Sequence, residues 1–193
     1  MKDKSYSWEY ICSHGFSKFF NDVAYLKIIN EKLIVLFKKY HMKSYKLSFD
    51  DLKTGNLHNL HYKNNKKLFA EFINCLSLKE CCFLFGFKKT REKVFTLLRQ
   101  HGGFHEQCPI SRFLKFKEWG LKVEDIWESA VPTQEVYFLD GTCFSKHGEG
   151  CSARMHQEIF SMIDTSENFI EFKKKYKSWS NLHFRHISLV EVS

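Results

Sequence analysis

The run Val136-Tyr137-Phe138-Leu139 constrains this chain most. Four apolar or aromatic residues lead directly into a carboxylate, Asp140, and a glycine, Gly141, follows at once. Such a run favours a buried strand, with β-branched and aromatic side chains packing on both faces. Asp140 then stands on that strand or at its end, where a charge is costly without a partner. Two readings follow, a metal ion or a structural cap for the next turn. Thr142, Ser145 and Lys146 supply polar groups around it.

The remaining sequence points mainly to helix. With 44% hydrophobic residues, the composition favours a globular chain over a disordered one. Two Pro and nine Gly leave little room for long irregular linkers, and twenty Phe suggest aromatic packing between helices. Phe19, Phe20, Val23, Leu26, Ile28, Ile29, Leu33, Leu36 and Phe37 place one or two helices over residues 17–42. A polar stretch, 43–66, reads as loop with short structured pieces. Leu68, Phe69, Phe72 and Ile73 then form one helix face, and Ser77 precedes Glu80 at the spacing of a capping box. Thr90 is the expected N-cap of a further helix carrying Val94, Leu97 and Leu98. Beyond Gly102-Gly103 lie a mixed segment broken near Trp119-Gly120, the 136–139 strand, and helix over 154–178 interrupted near Asp164. The alternating stretch from His183 to Val192 reads as a strand. The expected fold is α+β: a helix-rich basic domain over residues 1–107, then a smaller mixed α/β domain over 108–193.

Charge divides the same way. Residues 1–107 carry 19 Lys and Arg against 10 Asp and Glu, a net of +9, whereas 108–193 carry 11 against 12. A basic half suits a polyanion such as DNA, because neutralising phosphates releases counterions; a lysine-rich solvated surface is the plain alternative. No apolar run approaches the roughly 18–20 residues of a membrane span, and the first residues do not read as a secretory leader. Seven Cys, two of them adjacent at Cys81-Cys82, suit reduced thiols in the cytoplasm better than a disulfide framework.

Several constellations carry chemistry. Leu76 to Val94 resembles a helix-turn-helix, with Cys82 where the helices touch, Gly86 in the turn, and Lys88, Lys89, Arg91 and Lys93 directed at a groove. Cys143, His147, Cys151 and His156 offer sulfur and imidazole ligands for zinc within fourteen residues, without the tight hook of zinc knuckles. Cys12 with His14, and His101 with His105 and Cys108, form looser groups. A thiol hydrolase would use Cys143 or Cys151 with His183 or His186 as base and Glu191 to orient it. The Lys173-Lys174-Lys175-Tyr176-Lys177 tract beside Trp179 suits phosphate or a solvated helix end.

The helix-turn-helix-like block and the Val136-to-Thr142 run together resemble an insertion-sequence transposase of the DDE type. There, basic helical DNA-binding domains precede an RNase H-like catalytic domain whose first strand ends in Asp. The resemblance implies DNA as partner, Mg2+ as cofactor, and Asp140 as the first metal-binding, catalytic carboxylate. It also requires a second Asp and a Glu. Only 53 residues follow Asp140, and Glu191 comes nearest among Asp164, Glu167, Glu171 and Glu191. The implied protein is therefore an incomplete transposase, binding DNA with little or no strand transfer of its own. A small cytosolic or secreted-effector cysteine hydrolase and a non-catalytic interaction protein are the alternatives.

Overall fold

A computed structural model of the chain describes residues 22–57, 60, 66–99 and 104–186. These belong to two units, one within the first 99 residues and the other from residue 100 onward. The fold is mixed α and β, dominated by helix, with small antiparallel sheets.

The first unit contains α1 (Asp22–Lys39), α2 (Phe49–Thr54), α3 (Lys66–Cys75), α4 (Leu78–Gly86) and α5 (Lys88–Leu98). On α1 the heptad-like spacing buries Ile29, Leu33, Leu36 and Phe37, while Val23 and Val35 remain exposed. A Schellman turn ends this helix. Met42 N–H donates to the Phe37 carbonyl and His41 N–H to that of Lys38, with His41 in the left-handed position at φ 52°. Buried Asn30 acts as a backbone mimic, donating to the Leu47 carbonyl at 2.9 Å and accepting from its N–H at 2.7 Å.

Capping chemistry sets the next helices. Ser48 and Asp51 form a capping box on α2, and Gly55 ends it at φ 71°. Gly55 has a second constraint: a Cβ there would meet the Lys89 carbonyl oxygen at 2.8 Å. Ser77 and Glu80 form the expected box on α4, and Glu80 also receives the Lys32 ammonium at 2.6 Å. Thr90, by contrast, is not an N-cap. It lies inside α5, fully buried, and its hydroxyl donates to the Leu52 carbonyl at 2.6 Å. The helix begins two residues earlier because Phe87 alone separates α4 from α5. A helix-turn-helix uses a turn of about 3–4 residues, so this corner is tighter.

The second unit opens with β1 (Phe104–Glu106), a 3-10 turn, α6 (Phe113–Glu118) and α7 (Val123–Glu128). Gly120, at φ 86°, separates the two helices, which bury Phe113, Phe116, Val123 and Ile126. β2 (Ala130–Pro132) returns antiparallel to β1, with His105 opposite Val131. β3 (Val136–Asp140) follows, then β4 (Cys143–Lys146), α8 (Ser152–Asp164), α9 (Phe169–His183) and β5 (Phe184–His186), in the sheet order β4-β3-β5. The 136–140 strand and the break between α8 and α9 fall where the sequence places them.

Alternation along the sheet decides what faces where. Val136 and Phe138 are fully buried and pack on Met155 of α8, with Trp179 and Phe184 around them. Tyr137 and Leu139 face the other way and are half-buried. Among the described residues, no helix is long and apolar enough to cross a membrane.

Candidate metal centre

The inward face of β4 continues one residue beyond the strand. His147 N–H donates to the Val136 carbonyl at 3.1 Å, extending the β3–β4 ladder and directing His147 to the same side as Phe138. A tight loop then leads into α8. Gly148 N–H donates to the Ser152 hydroxyl, Cys151 N–H donates to the Ser145 hydroxyl, and Ser145 donates onward to the Glu149 carbonyl. Gly150 adopts φ 47°, and a Cβ there would lie 2.8 Å from that of Ser145. One turn into α8, His156 meets His147, their Nε2 atoms 3.1 Å apart.

His105 supplies the third imidazole. From β1 its ring lies 5.2 Å from that of His147 and 5.3 Å from that of His156, with Phe138 and Phe184 against it. One nitrogen from each histidine falls within 4.8 Å of the others. His105 is 3% exposed, and neither of its ring nitrogens has a hydrogen-bond partner among the described residues. Leaving such groups unpaired costs about 1–3 kcal/mol each, so the arrangement calls for something that binds nitrogen.

Protonation favours a ligand role. His156 Nδ1 contacts the Ser152 carbonyl at 2.7 Å; a carbonyl only accepts, so Nδ1 carries the proton and Nε2 turns a lone pair to the centre. Burial, with the neighbouring His156 and His147, pushes His105 down to about 3. Burial and then His156 also lower His147. These two imidazoles are therefore neutral near neutral pH, as metal ligation requires.

The geometry fits a tetrahedral cation. With metal–nitrogen bonds of about 2.0–2.1 Å, ligand nitrogens stand roughly 3.3 Å apart. The His147–His156 pair, at 3.1 Å, is already close to that spacing. His105 has to close by no more than roughly 1.5 Å, within reach of a side-chain rotation. His147 and His156 are half-buried, so the centre has a dry wall at His105 and a wetter side.

The zinc set expected from sequence is thus changed. His147 and His156 come together, but the sulfurs of Cys143 and Cys151 do not join them, and His105 does. Cys151 turns its sulfur to the Ser145 hydroxyl at 3.2 Å and to the carbonyls of Phe138 and Cys143. Cys108, from the looser group, is buried with its thiol pushed up to about 11 by desolvation, a poor ligand. Cys12, His14 and His101 lie outside the described residues.

The other expected residues are placed as follows. Asp140 pairs with Arg154 of α8 and closes a two-residue hairpin, where Gly141 at φ 58° is the first turn residue, as a II′ turn requires. Among the described residues no further carboxylates gather at Asp140 to make a Mg2+ site, and Glu191 lies outside them. His183 Nδ1 donates to the Leu139 carbonyl, and His186 Nε2 pairs with Glu135. On α5, Lys88 and Lys89 are exposed and Lys93 half-buried, while Arg91 folds back to donate to the Phe85 carbonyl at 3.0 Å. No protein-family model matches the chain, and no curated protein or solved structure does either.

Proposed function

We propose that the second unit is a metal-binding domain. Its centre is His105, His147 and His156, and zinc is the first candidate ion. The observation that carries this reading is the buried His105 ring, without a hydrogen-bond partner among the described residues, held beside two histidines whose facing nitrogens stand 3.1 Å apart. Structural zinc sites close with four protein ligands, whereas three ligands with an open position belong to reactive centres. Among the described residues three ligands come together, and on that count the proposed centre is a reactive one acting on water and an electrophilic substrate, in hydrolysis or hydration.

Each residue has a part in this. Zinc held here would act as a Lewis acid. Ser152 holds His156 in the tautomer that presents Nε2. Phe138 and Phe184 exclude water behind His105, and the 147–151 loop sets the distance from β4 to α8.

Elemental analysis of the purified protein tests the reading, with about one zinc per chain expected. Cobalt substitution should give the intense visible bands of a tetrahedral ion, and H105A should abolish both. A folded wild-type protein that takes up neither metal would sink the proposal. At metal a hundredfold above its dissociation constant, the gain is about 2.7 kcal/mol. For a unit of this size that corresponds to roughly 10 °C or more in Tm, reversed by a chelator.

A second reading, duplex DNA binding by the first unit, is favoured by Lys88 and Lys89 standing exposed on α5. Salt-sensitive affinity for duplex DNA, weakened in the K88A/K89A protein, is its test.

A further inference from the structure

The outer face of the β4-β3-β5 sheet carries chemistry that the metal centre does not use. Register places Tyr137 between Lys146 on one neighbour and Arg185 on the other, and Leu139 opposite Phe144. These five side chains share the face opposite Phe138 and His147. Phe144 is 60% exposed. Its ring lies parallel to that of Tyr137, at 6° and 5.1 Å between centroids, so the two make a flat aromatic step.

Among the described residues, the charged side chains at paired positions of this face are Lys146 and Arg185, and Lys146 is exposed. Arg185 donates to the carbonyls of Asn181 and Phe184, which leave its charge in place. Aromatic rings flanked by cations on an open strand surface match a polyanion whose flat groups are free to stack. In duplex DNA the bases are already stacked on one another, whereas a single strand offers them.

We infer that the outer face of this sheet binds single-stranded nucleic acid, with bases on Phe144 and Tyr137 and phosphates at Lys146 and Arg185. This site lies on the opposite side of the sheet from the histidines and does not depend on the metal reading. It differs also from the α5 lysines, which would contact a duplex.

The test uses the full chain and a fluorescein-labelled oligo-dT of about twelve nucleotides, read by anisotropy across a salt series. Stacking is lost in F144A, and affinity should fall about tenfold or more with an unchanged salt slope. F144Y should restore it. The K146A/R185A protein should instead lower the slope of log affinity against log salt by about 1.4, since a single strand contributes about 0.7 per neutralised phosphate. Zinc content equal to wild type shows that each variant keeps its fold if the metal reading holds; circular dichroism shows it regardless. Wild-type affinity in folded F144A overturns the inference, as does an unchanged slope in K146A/R185A. Loss confined to K88A/K89A overturns it too, by moving the strand to α5.

Discussion

Replacing His105 by Phe separates what the imidazole does for stability from what it does for ligand binding. Among the described residues neither ring nitrogen of His105 has a hydrogen-bond partner, the ring is 3% exposed, and burial brings it down to about 3 from an ordinary 6.5. Between those values the unfolded chain binds a proton that the folded chain refuses. Stability from this group is therefore present above the unfolded value and lost as pH falls through the interval. From about pH 7 to about pH 5 the loss integrates to about 2 kcal/mol, and the lowered His147 adds in the same direction. In H105F that increment disappears, while the ring still fills the space against Phe138 and Phe184. At neutral pH the metal-free variant should match or exceed wild type, because two orphaned nitrogens are gone. Urea unfolding of chelator-treated protein, followed by tryptophan fluorescence, is the assay; Trp119, Trp127 and Trp179 all belong to the second unit. Equal pH slopes in wild type and H105F would refute the reasoning, since a solvated or hydrogen-bonded His105 is the condition that produces them.

Three further substitutions have defined outcomes. G55A puts a Cβ on a left-handed residue and against the Lys89 carbonyl, and should cost about 2 kcal/mol or more in chemical denaturation. N30A leaves the buried Leu47 N–H and carbonyl without their partner, a loss of about 2–3 kcal/mol that should show as a lower urea midpoint with unchanged m-value. D140N breaks only the pair with exposed Arg154; it should shift stability by less than about 1 kcal/mol and leave zinc content at the wild-type level, checked by denaturation and elemental analysis.

Much of the architecture was legible because its signals are local. The Val136–Leu139 run, the Ser77–Glu80 capping box and the break near Asp164 each depend on residues a few positions apart, and each appears where expected. The start of α5 was not, because Thr90 satisfies its hydroxyl through Leu52, a partner 38 residues away. Two of the three histidines of the proposed centre were readable for the same reason: His147 and His156 stand nine positions apart, across a loop and the first helical turn. His105 was read only in a looser group with His101 and Cys108, and its place beside His147 and His156 was not, since that depends on β1, three residues long and held by a ribbon to β2. Cys143 and Cys151 have ligand chemistry, but alternation and the helix N-terminus direct Cys151 to backbone carbonyls. The Asp140-Gly141 pair, read as a metal carboxylate or as a structural cap for the next turn, stands at a hairpin with a turn glycine and an ion-paired strand end.

The Gly141-Thr142 turn has a wider consequence than joining two strands. It sets the phase of β4, and that phase sends Ser145 and His147 one way, Phe144 and Lys146 the other. Adding or deleting a single turn residue, with pairing kept, would turn the strand inside out. The imidazole would go to solvent and the phenyl ring into the core. The two sides of this strand can be refined by substitution independently, but in length they are inherited together.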